Sequence, residues 1–187
     1  MNFTGSKRSE EFYNFNGVTR SILHTINFLG DNLEGAVIGL GEGESFCTIL
    51  QNCPVVKILY GVDWWRPHKI NLDEKGHTVL AKEAELNKLF TTHNIKYSGH
   101  GDRAKIYNGD SNDIVKQFAD YSLDFIFIDS YISGETVITE LTNWYPKLKH
   151  FGVFSGHICE PIVFDKVLEF RNNERISIAD DTWIWYK

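Results

Sequence analysis

Cysteine is scarce in this chain, with three in 187 residues at Cys47, Cys53 and Cys159. An odd, scattered set argues against a disulfide framework and fits a reducing compartment, so the expected location is cytoplasmic. Cys47 and Cys53 stand six positions apart with no second pair behind them, which argues against a structural zinc site. No apolar run approaches the roughly 20 residues that a membrane span needs. The first ten residues, Met1 to Glu10, lack the apolar segment of a secretory signal. Positive charge is also short: 19 Lys and Arg face 25 Asp and Glu, a net charge of −6. That balance disfavours a general phosphate-binding surface, and with it a nucleic-acid partner. What the chain does have is burial capacity, with 42% hydrophobic and 14% aromatic residues, enough for one domain with a full core.

Residues 1–16 are polar, with Phe3, Phe12, Tyr13 and Phe15 interspersed. Residues 1–17 are therefore set apart as an N-terminal arm or a lid, and 18–187 as a single domain. Ile22, Leu23, Ile26 and Leu29 recur at helical spacing from Val18 to Leu29, and Gly30 with Asp31 closes that helix. From there strands and helices alternate. Strands are expected at Ala36 to Leu40, Val55 to Val62, Ala104 to Tyr107, Leu123 to Ile128 and Gly152 to Ser155. Helices are expected at Glu44 to Asn52, Thr78 to Thr92, Glu135 to Leu148 and Ile162 to Phe170, with Val79, Leu86, Leu89 and Phe90 inward in the second. Ser111 is the expected cap of a short helix carrying Ile114, Val115 and Phe118. Ile176 to Ile178 and Trp183 to Tyr186 read as a closing antiparallel hairpin. The fold class is α/β, a mostly parallel sheet of seven strands with helices on both faces.

The densest signal is Val37-Ile-Gly-Leu-Gly-Glu-Gly-Glu-Ser45. An apolar run ends in Gly39, Gly41 and Gly43, and a second apolar run ends in Asp63, 20 residues after the last glycine. Strand, tight turn, helix and a second strand ending in a carboxylate suit a nucleoside-containing cofactor. The Gly-x-Gly-x-x-Gly spacing of dinucleotide binding fails, because Glu44 stands where the third glycine belongs. Right-handed crossovers place the strand C-termini on one edge, where ligands of such sheets bind. Gly41, Asp63, Asp110 and Asp129 all fall there. Asp129 ends a nearly continuous apolar strand, so it must be hydrated or paired. His157 ends the fifth strand on the same edge and reads either as a proton acceptor or as a histidine bonded to a neighbour. Asp110 reads either as a helix cap or as a ligand contact. Trp64 and Trp65 follow Asp63, and one of them could flank a purine.

With these blocks in order, residues 18–187 resemble the class I S-adenosylmethionine-dependent methyltransferases. They look most like the small single-domain branch related to catechol-type and antibiotic- or sugar-tailoring O-methyltransferases. The matching stretches are Ala36 to Ser45, Leu59-Tyr-Gly-Val-Asp63, Tyr107-Asn-Gly-Asp-Ser111, Leu123 to Ser130 and Trp144 to His157. The resemblance implies a Rossmann-like fold and S-adenosyl-L-methionine as cofactor. It implies cofactor contacts from Gly39, Leu40, Gly41, Gly43, Ser45, Asp63, Trp64, Asp110, Ser111 and Asp129. In the family the acid at Asp63 holds the ribose, the acid at Asp110 meets the adenine amino group, and Asp129 sits beside the methionine end. His157 or Asp129 would take the proton of the acceptor, a small molecule methylated on oxygen or nitrogen, and self-association stays open. The chain departs from the pattern at Val37, where the family carries an acid. It departs again at Ser130 to Ser133, where a histidine is common, and at His157-Ile158, where metal-dependent relatives carry a further oxygen ligand. No metal site is expected, since Asp129 and His157 alone make a poor cage for a hard cation. Val37, Ile132 and Ile158 also fit a second reading, a methyltransferase-like binding protein without catalysis. A third, a nicotinamide-dependent oxidoreductase on a similar sheet, has the glycine spacing against it.

Overall fold

A computed structural model describes residues 18–70, 77–79, 81–130, 134–158, 161–172, 174–179 and 181–187. The expectations for the arm at 1–17, for Tyr131 to Ser133 and for Cys159 fall outside these residues. The chain opens with helix α1 (Val18–Leu29), strand β1 (Leu33–Ile38), helix α2 (Glu44–Asn52) and strand β2 (Val56–Asp63). Two short strands, β3 (His68–Ile70) and β4 (His77–Val79), precede helix α3 (Ala81–Ser98) and strand β5 (Ala104–Asn108). Helix α4 (Ser111–Ile114), strand β6 (Leu123–Ile128), helix α5 (Gly134–Trp144) and strand β7 (Leu148–His157) follow. Helix α6 (Pro161–Phe170) and strands β8 (Ser177–Ala179) and β9 (Thr182–Tyr186) complete the order.

The main sheet has seven strands in the order β5-β2-β1-β6-β7-β9-β8. Its first five are parallel, and β9 runs antiparallel to both of its neighbours, β7 and β8. This is the expected α/β sheet with its C-terminal hairpin. The chain winds from β1 out to β5 and then returns to β6 on the other side of β1, so the strand order switches between β1 and β6. Residues that alternate along each strand feed two cores. Val37, Phe125 and Phe127 pack with Ile22, Ile26, Phe46 and Ile49 on the α1/α2 face. Ala36, Ile38, Ile126 and Ile128 pack with Val137, Leu141, Val163 and Val167 on the α5/α6 face. A double covering explains why Leu123 to Ile128 reads as an almost unbroken apolar run.

Several boundaries differ from the sequence pattern, each for a local reason. The first strand ends at Ile38 rather than Leu40, because Gly39 turns the backbone to a φ of +86°. Thr78 and Val79 lie in β4, paired antiparallel with β3, and not in a helix. β-branched residues favour that pleated pairing. The helix that follows is longer than expected, and it turns Leu86, Leu89 and Phe90 outward instead of inward. Among its described side chains, Ala84 and Thr91 are buried. Apolar residues recur on both of its faces, so periodicity alone does not choose between them. The predicted helix at Glu135 to Leu148 stops at Trp144, where Pro146 disfavours further α-helix and a short 3₁₀ turn leads into β7. β7 is itself longer than the expected Gly152 to Ser155.

Arg103 secures the far end of α2. Its guanidinium donates to the carbonyls of Cys53 at 3.1 Å, of Val56 at 2.9 Å and of Leu50. The Leu50 and Cys53 carbonyls lie at the C-terminus of α2, where a cation meets the helix dipole favourably, and Val56 opens β2. We expect Arg103→Ala to lower stability by about 1–3 kcal/mol in urea unfolding, without altering ligand binding at the opposite edge of the sheet.

Candidate active site

The glycine turn is built from backbone that other residues resist. Gly39, Gly41 and Gly43 have φ values of +86°, +52° and +84°, all left-handed. A Cβ on Gly39 would stand 2.5 Å from the Cα of Ser130, and one on Gly43 would stand 3.0 Å from Cγ2 of Thr91. A Cβ on Gly41 would meet nothing within 4 Å. Two of the glycines therefore serve close packing, and the third keeps a cradle open at the edge of the sheet. The Gly43 N–H closes the turn on the Leu40 carbonyl at 2.6 Å.

Asp63 holds this turn from β2. Its Oδ2 accepts from the N–H groups of Leu40 at 2.7 Å and Gly41 at 2.9 Å, and its Oδ1 accepts from the Trp65 N–H at 2.7 Å. A carboxylate offers about four lone-pair sites, so capacity for one further donor is left. The acid assigned to ribose thus also braces the glycines. The two tryptophans separate in role. Trp65 packs on the core and donates from its indole nitrogen to the Gly41 carbonyl at 2.9 Å. Trp64 is 40% exposed, and the Arg66 guanidinium lies 3.2 Å from its ring centre. α3 grips the turn from outside: Thr91 Oγ1 donates to the Gly41 carbonyl at 2.8 Å and Asn94 to that of Glu42 at 2.9 Å. Thr91 and Asn94 had no signal in the sequence, since each looks like an ordinary helix residue.

On the far side of β1 stands Asp129. Its N–H pairs with the Ile38 carbonyl at 2.7 Å, across the point where strand order switches. The Ser45 hydroxyl donates to its carboxylate, and Glu44 lies close enough for its charge to be felt. Burial, with a smaller push from Glu44, raises the Asp129 pKa to about 7, against the pull of the Ser45 bond. Glu44 is itself raised by burial and by Glu42. The His157 Nδ1 lies 3.8 Å from Asp129 Oδ1, with the two side chains 33% and 20% exposed. That is a charge contact rather than a direct hydrogen bond. Burial lowers the His157 pKa, opposed by the charge of Asp181. A neutral imidazole thus sits beside a carboxyl that titrates near neutrality, a pairing able to take up a proton.

The loop after β5 differs from the sequence expectation in one respect. Asp110, not Ser111, is the N-cap of α4, its Oδ1 accepting from the Asn112 N–H at 2.9 Å. Ser111 instead donates to Glu140. A carboxylate accepts from a helix N-terminus more strongly than a hydroxyl does, and it also meets the positive end of the dipole. The glycine turn, Ser45, Asp63, Trp64, Asp110, Ser111, Asp129 and His157 all stand at the C-terminal ends of the parallel strands or in the loops and first helical turns that follow them. Val37 is fully buried in the α1/α2 core. Among the described residues, no group of three His, Cys, Asp or Glu is placed to hold a metal ion. The thiols of Cys47 and Cys53 are buried, and burial pushes both up to about 12, which makes them poor nucleophiles. A cavity of about 360 Å³ opens between α3 and β5, lined by Trp65, Lys88, Thr91, Ile95, Ile106 and Asn108. None of Gly41, Asp129 and His157 lines it.

The geometry can be set beside known proteins. A family model described as a methyltransferase domain matches residues 36–157, from β1 to the end of β7. Comparison with curated proteins found no match. Among solved structures, an O-methyltransferase from Bacillus cereus in complex with SAH is 14% identical, with a TM-score of 0.62 over 89% of this chain and 78% of that one. A SAM-dependent O-methyltransferase from Thermotoga maritima is 13% identical, with a TM-score of 0.60 over 84% of this chain and 49% of its own length. The chain thus spans about half of that enzyme. Precorrin 8W decarboxylase from Methanobacterium thermoautotrophicum is 16% identical, with a TM-score of 0.61 over 90% of both chains. At such identities the structural likeness concerns the fold. With the family model spanning more than half of its residues, the chain belongs to the methyltransferase domain family and has the Rossmann-like fold of the class I S-adenosylmethionine-dependent enzymes.

Proposed function

We propose that this domain binds S-adenosylmethionine and transfers its methyl group to an oxygen, or a nitrogen, of a small molecule. The observation that carries the reading is the convergence at the strand switch of a glycine turn left open at Gly41 with the Asp129–His157 pair. The open cradle at Gly41 fits close approach of a ligand to backbone. Asp63 has capacity for one hydroxyl donor, Trp64 offers an aromatic face, and Asp129 with Glu44 provides negative charge at the other end. The two carboxylates suit the cationic methionine end of the cofactor.

When bound, S-adenosylmethionine supplies an electrophilic methyl on a sulfonium whose leaving group is a neutral thioether. The protein's work is then alignment, exclusion of water and handling of one proton. His157, neutral near pH 7 because burial disfavours its charge, is the base for an acceptor hydroxyl or amine. Asp129, 3.8 Å away, stabilises the imidazolium that forms. The acceptor is a small molecule.

Calorimetry with S-adenosylmethionine and S-adenosylhomocysteine tests the first half, and absence of binding by either would remove the proposal. For the second half, His157→Ala should slow methyl transfer to a panel of phenols and catechols by about 100-fold or more. Its affinity for S-adenosylhomocysteine should stay within about threefold of the parent, because the imidazole acts on the acceptor. Unchanged turnover would take His157 out of the mechanism. The buried Val37 favours a second reading, a methyltransferase-like binding protein. That reading predicts cofactor affinity too weak to detect and a stable complex with another chain.

A further inference from the structure

Glu140 lies in the middle of α5 and is 5% exposed, yet no ion pair among the described residues includes it. Its two oxygens are divided between two loops. Oε1 accepts from the Ser111 hydroxyl at 2.5 Å, and Oε2 accepts from the Ser130 hydroxyl at 2.8 Å. One helical step further on the same face, the Asn143 amide donates to Asn112 Oδ1 at 2.8 Å. Ser111 and Asn112 follow Asp110 at the end of β5, and Ser130 follows Asp129 at the end of β6. The Cα of Ser130 is also the atom against which Gly39 packs. One carboxylate therefore spans the two loops whose acids flank the candidate cofactor site, and through Ser130 it backs the glycine turn.

An apolar side chain of similar volume would fill this position at lower desolvation cost, because a buried acid with serine hydroxyls and no cation beside it among the described residues gains little stability. Burial raises the Glu140 pKa, with Asp110 adding to the rise and the two serine hydroxyls opposing it. A costly group retained at a ligand site points to positioning. We propose that Glu140 is a positioning residue that fixes the Asp110 loop and the Asp129 loop at the separation needed to grip both ends of the cofactor. The inference rests on the methyltransferase reading above.

The test compares S-adenosylhomocysteine, which spans both loops, with methylthioadenosine, which lacks the amino-acid end. Glu140→Leu should fold with an unfolding temperature equal to or above the parent. It should bind S-adenosylhomocysteine at least tenfold more weakly, while methylthioadenosine loses less than threefold. Glu140→Gln should restore S-adenosylhomocysteine to within threefold, since its amide can accept from one serine and donate to the other. Should Glu140→Leu fail to fold, Ser111→Ala and Ser130→Ala each cut one arm, and each should weaken S-adenosylhomocysteine at least threefold. Parent-like affinity in the folded leucine variant or in both serine variants would overturn the proposal. So would equal losses for the two ligands, or no restoration by glutamine. No binding of either ligand by the parent protein would instead remove the methyltransferase reading on which it stands.

Discussion

Alanine at Gly41 should leave the domain folded and weaken binding of S-adenosylhomocysteine at least tenfold. The structure separates the two effects. At a φ of +52° an alanine meets the ordinary left-handed penalty of about 1–2 kcal/mol, with no steric term, because the added Cβ meets nothing within 4 Å. A domain of this size should show that as a fall of about 2–8 °C in unfolding temperature. The methyl projects into the cradle that the proposed function assigns to the cofactor, so affinity should fall by at least tenfold. Gly39→Ala is the matched control. Its Cβ would come within 2.5 Å of Ser130 backbone, so the same chemical change should damage folding itself. Circular dichroism melting beside calorimetry reads both quantities. If Gly41→Ala binds like the parent, the open side of the turn does not face the ligand.

The second large effect concerns Asp129 and pH. Its folded pKa is raised to about 7 from an ordinary 3.8. The folded state therefore holds this proton over a window in which the unfolded chain has released it. By linkage the parent loses stability as pH rises from about 4 to about 7, and the loss is complete above that. Asp129→Asn removes the titration. The variant should match the parent near pH 4 and gain on it through neutrality, reaching a plateau near pH 8. A shift of about three units corresponds to about 4 kcal/mol, and partial exposure of the carboxyl reduces the expected gain to about 1–3 kcal/mol. Thermal melts at pH 4.5 and pH 8 should therefore agree with the parent at the first and exceed it by about 3–10 °C at the second. The same variant should bind S-adenosylmethionine more weakly at pH 8, where the parent's carboxylate is charged. A stability difference independent of pH would show that Asp129 is not the strained acid of this site. A carboxyl that destabilises the domain at working pH is a mark of function, since a purely structural position would favour a neutral residue.

Helix α3 shows where a local pattern stops informing. Leu86, Leu89 and Phe90 have the helical spacing expected of a core face, but they stand exposed, and the helix turns Ala84 and Thr91 inward. Small inward residues allow it to approach the glycine turn closely enough for Thr91 to reach the Gly41 carbonyl. No window of sequence around α3 contains that turn, which lies 50 residues earlier. The β3–β4 pair was missed for a similar reason. Its strands have three residues each, and Thr78-Val79 adjoin a long helical stretch whose periodicity masks them.

The main strands and helices apart from the β3–β4 pair, the parallel core and the closing hairpin are legible in the sequence alone. So are the glycine turn and the placement of Asp63, Asp110, Asp129 and His157 at the C-terminal ends of strands. These follow from local rules: alternation of burial, left-handed glycines and apolar runs that stop at an acid. What those groups do to one another depends on the packing of distant segments. That packing turned Asp63 into the brace of the glycine turn and made Asp110 the helix cap. It gave Trp65 to the core and brought His157 within 3.8 Å of Asp129. It also recruited Glu140, to which no sequence pattern assigns a role, to join two segments through serines 29 and 10 positions away. The physical reason is that a residue's charge, partners and proton affinity depend on what the strand order packs beside it, and the return of the chain from β5 to β6 is what assembles those neighbours.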